Sequence, residues 1–392
     1  MTILKLAVKN LLGAGMRTWL NVIVLSFCFV LIIFFQGLLE GINRQVATDM
    51  VNSVYGGGQI WHADYDPYDP LSLQDAHGPL PPGIQSLVEE GRATPLLFIQ
   101  GSIYPEGRFV SVLLKGIDPA QKIMDLPMEA LAEETEEIPV IIGARMAKDV
   151  GLAEGDTVML RWRDADGTFD AQEARVVRVF RTSVQMVDSG QLWLSIERLQ
   201  HMAQMEGEVT LATLGQEVSP PDEGRESWLF KDQNFLLSDL IDMIKAKKAG
   251  SSIYYVILMF MAMLAIFNTQ LLSIFRRRKE MGTLMALGFT RGKVIRLFTL
   301  EGGLHAVLAT LVGAVYGGPL MYWTYAKGIS LPASYDQWGM ALGEKMIPIF
   351  TAGLIIGTTI LVLIITTVVS YLPTRKIAKL KPTDALRGRF ST

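Results

Sequence analysis

Residues 276–302 lie between two long apolar segments and open with four consecutive cations, Arg276–Lys279. A cation cluster directly after an apolar run is typical of a membrane exit on the cytoplasmic side. Glu280–Leu287 is rich in helix formers and is followed by Gly288, the residue type best suited to a left-handed helix cap. Thr290 is placed to cap a further helix. The stretch therefore predicts a short cytoplasmic helix held between two membrane-spanning helices.

Four apolar runs are each long enough to cross a bilayer, for which a helix needs about 20 residues. They predict membrane spans at 19–40, 251–275, 303–325 and 347–372. No small-residue cleavage site follows the first run, which is longer than the core of a signal peptide, so we expect an uncleaved signal anchor. Basic residues among apolar ones predict an interfacial cytoplasmic helix over 1–18. Residues 326–346 and 373–392 are expected to be a short periplasmic loop and a cytoplasmic tail.

Charge is distributed unevenly along the chain, although the formal net charge is only −3. Residues 44–250 contain 18 Lys and Arg against 33 Asp and Glu, whereas the rest of the chain has 18 cations against 6 acids. Because cations collect in cytoplasmic segments next to membrane spans, both termini and residues 276–302 are expected inside and the acidic region outside. An acidic external domain also argues against nucleic-acid binding, which needs a basic surface.

Residues 41–250 are expected to form a large mixed α/β domain, inserted between the first and second of four membrane helices. Short β-branched runs alternate there with Gly, Pro and Asp turn signals. The pattern predicts strands at Gln59–His62, Leu97–Ile103, Val110–Lys115, Val140–Ile142, Thr157–Arg161, Arg175–Arg181 and Gln191–Ser195. It predicts helices at Gly83–Glu90, Ala144–Val150, Ile196–Met205 and Leu237–Lys248. Glu129–Glu137 is expected to be an acidic surface connector.

The predicted helix Leu237–Lys248 should continue into the second span, because no proline or turn cluster interrupts the two segments. One continuous helix is a suitable transmitter of motion, since a rod moved at one end moves at the other. In the third and fourth spans, pairs of glycines four residues apart permit close helix contact. These candidate packing residues are Gly313, Gly317, Gly353 and Gly357.

Two separated motifs in a fixed order carry a resemblance to a known family. The charged start Lys279–Gly282 is followed by Ala286–Gly288 and a basic helix, and the C-terminal run Thr374–Arg387 reads TRKIAKLKPTDALR. Both resemble the corresponding motifs of the FtsX, MacB and LolC/LolE superfamily of ABC transporter permeases. The likeness covers the whole layout, although the large middle domain matches only loosely, and it is closest to LolC/LolE-like permeases.

The resemblance implies a membrane subunit driven by a separate ATPase. Two ATPase subunits, with their ATP and Mg²⁺, would work with two permease subunits, the second being the same chain or a homologous one. The implied coupling residues are Lys279, Glu280, Met281, Gly282, Thr283, Leu284, Met285, Ala286, Leu287 and Gly288. MacB-type proteins usually carry the ATPase fused at the N-terminus, whereas the short segment before the first span here fits the LolC/LolE and FtsX arrangement.

The resemblance also suggests a docking loop in the external domain. In LolC a proline-containing hook between two strands docks the chaperone that carries lipoproteins, and the matching position is Arg163–Gln172. The candidate docking residues are Arg163, Asp164, Asp166, Gly167, Phe169 and Asp170. This segment has three aspartates and no proline. Docking of the LolC kind is therefore one alternative, and a LolE-like role, a homodimer serving both roles or a MacB-like exporter are others.

No motif for catalysis or cofactor binding was found in the sequence. A phosphate-cradling GxxxxGK followed by Ser or Thr is missing, and Gly288–Val294 has one residue too few between its glycines. Asp164, Asp166 and Asp170 lack a glutamate at calcium-loop spacing and predict a solvated hairpin tip. The four histidines are scattered and the single cysteine, Cys28, lies in an apolar run, so we expect no metal site and no intrachain disulfide.

The sequence therefore predicts a non-catalytic permease subunit in the bacterial inner membrane, which moves its periplasmic domain when a partner hydrolyses ATP. The predicted substrates are lipoproteins or other amphiphiles taken from the membrane, since no polar pathway is evident in the spans. Two alternatives stay open: a MacB-like exporter of periplasmic cargo, and an FtsX-like regulator of a periplasmic enzyme that transports nothing.

Overall fold

A computed structural model of the chain describes residues 2–13, 15–133, 135–182, 184–219, 227–276, 280, 283–285, 287–330 and 345–377. The chain divides into two units. The helical unit comprises Met1–Asn43, Ile244–Ser330 and Lys345–Thr392, and the sheet unit comprises Arg44–Met243 and Leu331–Glu344.

Ten α-helices and thirteen strands have both ends among the described residues. The helices are α1 (Thr2–Gly13), α2 (Met16–Met50), α3 (Pro82–Glu89), α4 (Ala144–Val150), α5 (Gln185–Asp188), α6 (Ile196–Ala203), α7 (Gln233–Leu236), α8 (Ser238–Arg276), α9 (Arg291–Lys327) and α10 (Ala352–Ile377). The strands are β1 (Gly58–His62), β2 (Gly78–Pro79), β3 (Ala93–Ile103), β4 (Val110–Ile117), β5 (Ile138–Gly143), β6 (Thr157–Arg163), β7 (Phe169–Phe180), β8 (Gln191–Ser195), β9 (Glu208–Val209), β10 (Leu211–Leu214), β11 (Trp228–Lys231), β12 (Ile329–Ser330) and β13 (Lys345–Met346).

Three helical segments among the described residues are long and apolar enough to cross a membrane: Thr18–Tyr55, Arg291–Lys327 and Ala352–Arg375. They contain most of the first, third and fourth predicted spans. The second predicted span, 251–275, lies within α8, which is one uninterrupted helix as the sequence indicated. That α8 also crosses the membrane stays a prediction.

The fourth long helix begins later than the predicted start at residue 347. Pro348 has no amide hydrogen to give, Ile349 donates its N–H to the carbonyl oxygen of Gly37 at 2.9 Å, and α10 starts only at Ala352. The Thr351 hydroxyl accepts the Leu354 N–H at 3.3 Å, which is the bond made by a helix N-cap. The helix therefore begins five residues after the predicted start of the span, because residues 347–350 are apolar but not helical.

The two glycine pairs of the helical unit have different surroundings. A Cβ atom on Gly317 would lie 2.8 Å from a Val30 methyl carbon, and one on Gly313 would lie 3.1 Å from the Phe29 ring. Glycine therefore permits the close approach of α9 and α2. Around Gly353 and Gly357 there is no atom within 4 Å of the added carbon. Their predicted role in helix packing stays a prediction.

Nine strands of the sheet unit form one sheet in the order β11-β1-β10-β3-β4-β8-β5-β7-β6. The long strand β3 pairs with β4 along one edge. Its other edge pairs with β10 through Ala93–Leu96 and with β6 through Gly101–Ile103. The last pairing joins β6 back to β3, so six strands close into a ring. Closure satisfies the edges of these strands and brings the β3–β4 and β6–β7 hairpins together.

All seven strands predicted for the sheet unit are present, and so are the predicted helices at α3, α4, α6 and the start of α8. The strands that the sequence did not predict, β2 and β9–β11, are only two to four residues long. In the predicted acidic surface connector, Glu129–Glu137, the side chains of Glu129, Glu133 and Glu136 are exposed as expected. One correction concerns Leu131, which lies in a 3₁₀ turn that begins at Met128 and is buried with Met128 in the core.

Alternate residues of β4 face two different hydrophobic cores. Val112 and Leu114 belong to one core, and Leu113 and Ile117 contact the other, as the two-residue period of a strand requires. Lys115 faces the second core and is only 6% exposed. Its Nζ atom lies 4.5 Å from the centre of the Phe98 ring and 5.0 Å from that of Trp193. Burial lowers the pKa of the Lys115 ammonium from 10.5 to about 7.

Replacing Lys115 by Met should stabilise the sheet unit. An unfolded chain keeps the lysine proton up to about pH 10.4, whereas the folded chain releases it near pH 7. Since the unfolded state then binds more protons between these values, wild-type stability should rise with pH from 7 to 10. Lys115→Met should lack this rise and unfold at a higher temperature at pH 7, by roughly 2–4 °C for each kcal/mol gained. Calorimetry at several pH values measures both effects.

The exposed residue Lys122 provides the matched control. Lys122→Met removes the same charge but relieves no burial, so its unfolding temperature should follow that of the wild type at every pH. An unfolding temperature of Lys115→Met equal to that of Lys122→Met would contradict this account of the second core.

Candidate functional site

The coupling segment, residues 280–290, connects α8 to α9 in the helical unit. Of the ten residues predicted to couple to an ATPase, four lie outside the described part of the chain: Lys279, Met281, Gly282 and Ala286. The described residues Glu280 and Thr283–Met285 are helical, and the chain turns at Leu287 and Gly288. The structure therefore places a short helix and a turn where the sequence predicted them.

A two-bond cap ends this short helix. The Phe289 N–H donates to the Leu284 carbonyl at 3.0 Å, and the Gly288 N–H donates to the Met285 carbonyl at 3.1 Å. These are the paired bonds of a Schellman motif, in which the residue after the helix takes a left-handed conformation. Gly288 does so with a φ of 92°. The glycine thus fixes the direction in which the chain leaves the helix.

The apolar side chains of the coupling segment divide into buried and exposed groups. Met285 and Phe289 are half-buried and pack against the buried side chains Val294 and Phe298 of α9, and Leu271 of α8 packs against the same two side chains. Leu287 is instead 75% exposed. Of the described apolar side chains predicted to contact an ATPase, Leu287 is the most available to a partner, whereas Met285 holds the segment in place.

Thr290 precedes α9, as predicted, and has the extended backbone of an N-cap residue. Its carbonyl oxygen accepts the N–H groups of Lys293 at 2.9 Å and Val294 at 3.2 Å. The hydroxyl makes no capping hydrogen bond. The position of the helix start was therefore predicted correctly, but the backbone and the buried Val294 side chain determine it rather than the threonine hydroxyl.

The docking loop predicted from the resemblance is the tip of the β6–β7 hairpin in the sheet unit. The Asp164 carboxylate accepts the Thr168 N–H at 2.7 Å, and Gly167 turns the chain with a φ of 84°. Asp166 and Asp170 are exposed, and Phe169 is exposed beside them. Asp164 thus builds the turn, while the other side chains at the tip are accessible. Among the described residues, no three His, Cys, Asp or Glu side chains gather as a metal site would require.

Two ionisable residues in α9 were missed by the sequence reasoning. Glu301 and His305 are 4% and 5% exposed, and the His305 Nδ1 atom lies 2.8 Å from the Glu301 carbonyl oxygen. Buried ionisable groups in an apolar helix are uncommon and are often functional. The available signal was the placement of one acid and one imidazole at the start of an apolar run.

The comparisons with known proteins agree with this arrangement. Residues 252–382 match the family model described as FtsX-like permease C-terminal. A lipoprotein-releasing system transmembrane protein LolC from Xylella fastidiosa is 21% identical over 324 residues, which cover 77% of this chain and 75% of the relative. A macrolide export ATP-binding/permease protein MacB from Chromobacterium violaceum is 29% identical over 164 residues, 39% of this chain and 23% of that one. Residues 252–382 therefore match the FtsX-like permease family, and the chain as a whole is similar to permeases of the FtsX/MacB/LolC superfamily.

The permease is also similar to an uncharacterized ABC transporter permease of Methanocaldococcus jannaschii, with 30% identity over 122 residues. That match covers 31% of the permease and 28% of the archaeal protein. The likenesses to the archaeal permease and to MacB therefore concern less than a third of each relative, whereas the LolC likeness extends over most of both chains. Taken together with the three apolar helices, these likenesses fit a membrane protein with a soluble α/β region.

Proposed function

We propose that the chain is the membrane subunit of an ABC transporter in the bacterial inner membrane and that it extracts lipoproteins or similar amphiphiles. A separate ATPase, which binds ATP and Mg²⁺, would move the coupling segment, and the sheet unit would act on the periplasmic side. The observation that carries this proposal is Leu287, an exposed apolar side chain on a capped turn that Met285 and Phe289 anchor. A rigid apolar projection suits insertion into a groove of a partner.

The distribution of charge supports the proposed orientation. Residues 44–250 have 15 more acidic than basic side chains, and the rest of the chain has 12 more basic than acidic ones. The basic parts would lie in the cytoplasm, where cations next to membrane spans are retained. The ATPase would then meet the coupling segment on the cytoplasmic side, and α2, α8, α9 and α10 would form the four spans of each subunit.

The long helix α8 is the proposed transmitter. It runs without a break from Ser238 to Arg276, and the Lys248 ammonium pairs with the Glu40 carboxylate at 3.1 Å. At its start, the Tyr68 hydroxyl donates a hydrogen bond to the Asp239 carboxylate. The helix contains no proline and continues unbroken through Gly250, so displacement of one end would reach the other.

Replacing Leu287 by Arg should abolish copurification of the ATPase, because the guanidinium would enter an apolar groove without a partner. Leu71→Arg is the matched control, since Leu71 is similarly exposed at 68% but lies in the sheet unit. The quantity to measure is the amount of ATPase retained by the affinity-purified chain. Equal retention by both variants would favour the alternative, a coupling segment that rests on lipid and makes no contact with an ATPase.

Inserting Gly-Gly after Lys248 should uncouple the external action from ATP hydrolysis and leave ATPase binding intact, because glycine weakens a helix. An Ala-Ala insertion at the same place adds the same length but keeps the helix rigid. The measurement is substrate released per ATP hydrolysed. The transmitter role of α8 would be wrong if the Gly-Gly variant were coupled as well as the Ala-Ala variant.

The choice of substrate rests on the likeness to the protein named as the lipoprotein-releasing transmembrane protein LolC. The hairpin tip Asp164–Thr168 has no proline, so the chain could also be a LolE-like partner of a second permease subunit or half of a homodimer. The MacB likeness keeps a second candidate function open, the export of periplasmic cargo. An FtsX-like regulator of a periplasmic enzyme is the third alternative.

Depleting the protein in its host should leave lipoproteins in the inner membrane. Membrane fractionation with quantitative proteomics measures their distribution, and a copy with the Leu71→Arg change should restore it. If lipoproteins keep their normal distribution while export of a peptide or toxic compound fails, the MacB-like function replaces the proposed one.

A further inference from the structure

A cleft in the sheet unit lies beside the ring closure of the sheet. It has a volume of about 600 Å³ and is bordered by the β3–β4 hairpin, the β6–β7 hairpin and the turn at Pro70–Gln74. Cavities of roughly 300–1,000 Å³ are typical of small-molecule sites. The pairing of β3 with β6 brings the two hairpins together, so the cleft is a direct consequence of the closed ring.

Apolar side chains form the rim of the cleft. Phe109 and Phe169, one on each hairpin, are 67% and 61% exposed, although phenylalanine is normally buried. Leu73 adds an apolar surface from the turn on the other side. The floor is polar, since Ser102 of β3 and Ser111 of β4 are cross-strand partners there. A ligand with an apolar part could therefore shield the two exposed rings from water.

Two arginines of β6 supply cations to the same cleft. Arg161 and Arg163 are two residues apart, so both side chains leave the strand on one face. The Arg161 guanidinium lies 4.3 Å from the centre of the Phe169 ring. Arg163 donates through Nε to the Gly167 carbonyl at 3.1 Å. These contacts orient both groups, and a guanidinium retains further N–H donors for a carboxylate or phosphate.

Two acids also line the cleft, and their environments differ. Both oxygens of Asp164 are engaged, one with the Thr168 N–H at 2.7 Å and the other with the Gln204 amide at 3.3 Å. Asp75 lies at the end of the Pro70–Gln74 turn and would repel a bound anion. The anionic group of a ligand should therefore lie at the arginine side of the cleft, and Asp75 offers a substitution with the opposite effect.

We propose that this cleft binds amphiphilic anions, meaning an apolar chain that ends in a carboxylate or a phosphate. The anionic end pairs with Arg161 and Arg163, and the chain lies along Phe109 and Phe169. The inference deepens the proposed function and rests on it for the view that the substrate is an amphiphile. It names the part of the sheet unit that would recognise the charged end of such a molecule.

The test is isothermal titration calorimetry on the full chain in phosphatidylcholine nanodiscs, with empty nanodiscs as the blank. The probes are octyl phosphate, octanoate, octanol and inorganic phosphate. Octyl phosphate and octanoate should bind at least tenfold more tightly than octanol and inorganic phosphate, because only these two probes combine an apolar chain with an anionic group. Whichever of the two binds more tightly indicates a phospholipid or a fatty acid as the natural source.

The variants separate specific binding from general attraction. Arg161→Gln and Arg163→Gln should each weaken binding of the tighter anion about tenfold, as the loss of a charge-assisted hydrogen bond predicts. Arg175→Gln, the matched control, removes an exposed arginine of the same hairpin that does not line the cleft and should change nothing. Asp75→Asn should strengthen binding, and Arg161→Lys should retain part of the lost affinity.

Octanol binding as tightly as octyl phosphate, or equal affinities for Arg161→Gln, Arg163→Gln and Arg175→Gln, would overturn the proposal. Equal affinities for inorganic phosphate and octyl phosphate would overturn it too, since Phe109 and Phe169 would then contribute nothing to binding. No ATP or ATPase is present in the titration. Failure of the ATPase experiments therefore leaves this result intact, and failure here leaves the coupling proposal intact.

Discussion

The Schellman cap at Gly288 determines which side chains of the coupling segment face a partner. Gly288 adopts a left-handed conformation, and Met285 and Phe289 on either side of it both pack onto Val294 and Phe298 of α9. Leu287 is left exposed, and the segment is held against α9. A residue with a Cβ atom at position 288 would be strained, and the anchored turn would lose its direction. The proposed transmission of motion from the ATPase depends on this one turn.

A comparable constraint governs the sheet unit. One edge of β3 is shared between β10 and β6, so six strands close into a ring, and β10, β1 and β11 extend the sheet from β3. The closed part positions the two hairpins whose aromatic tips flank the cleft. The same sheet buries Lys115 near two aromatic rings, which costs stability at neutral pH and lowers the pKa of its ammonium to about 7.

The sequence predicted features that depend on local chemistry. The β-branched runs predicted the strands, and Gly288 and Thr290 predicted the turn and the start of α9. Features that depend on contacts between distant parts of the chain were not predicted. Met285 was expected to face an ATPase, and its packing onto Phe298 depends on a residue in another helix. The burial of Lys115 was hidden because a lysine at the end of a predicted strand normally indicates exposure, and the β3–β6 pairing joins segments about 60 residues apart.

Photo-crosslinking from position 287 in intact cells tests the central claim most directly. A photoreactive amino acid replaces Leu287, and mass spectrometry identifies the crosslinked protein, with position 71 as the control. The account predicts that the protein captured from position 287, and not from position 71, contains the GxxxxGK motif followed by Ser or Thr that this chain lacks. Crosslinks to lipid alone, or the same proteins from both positions, would contradict it.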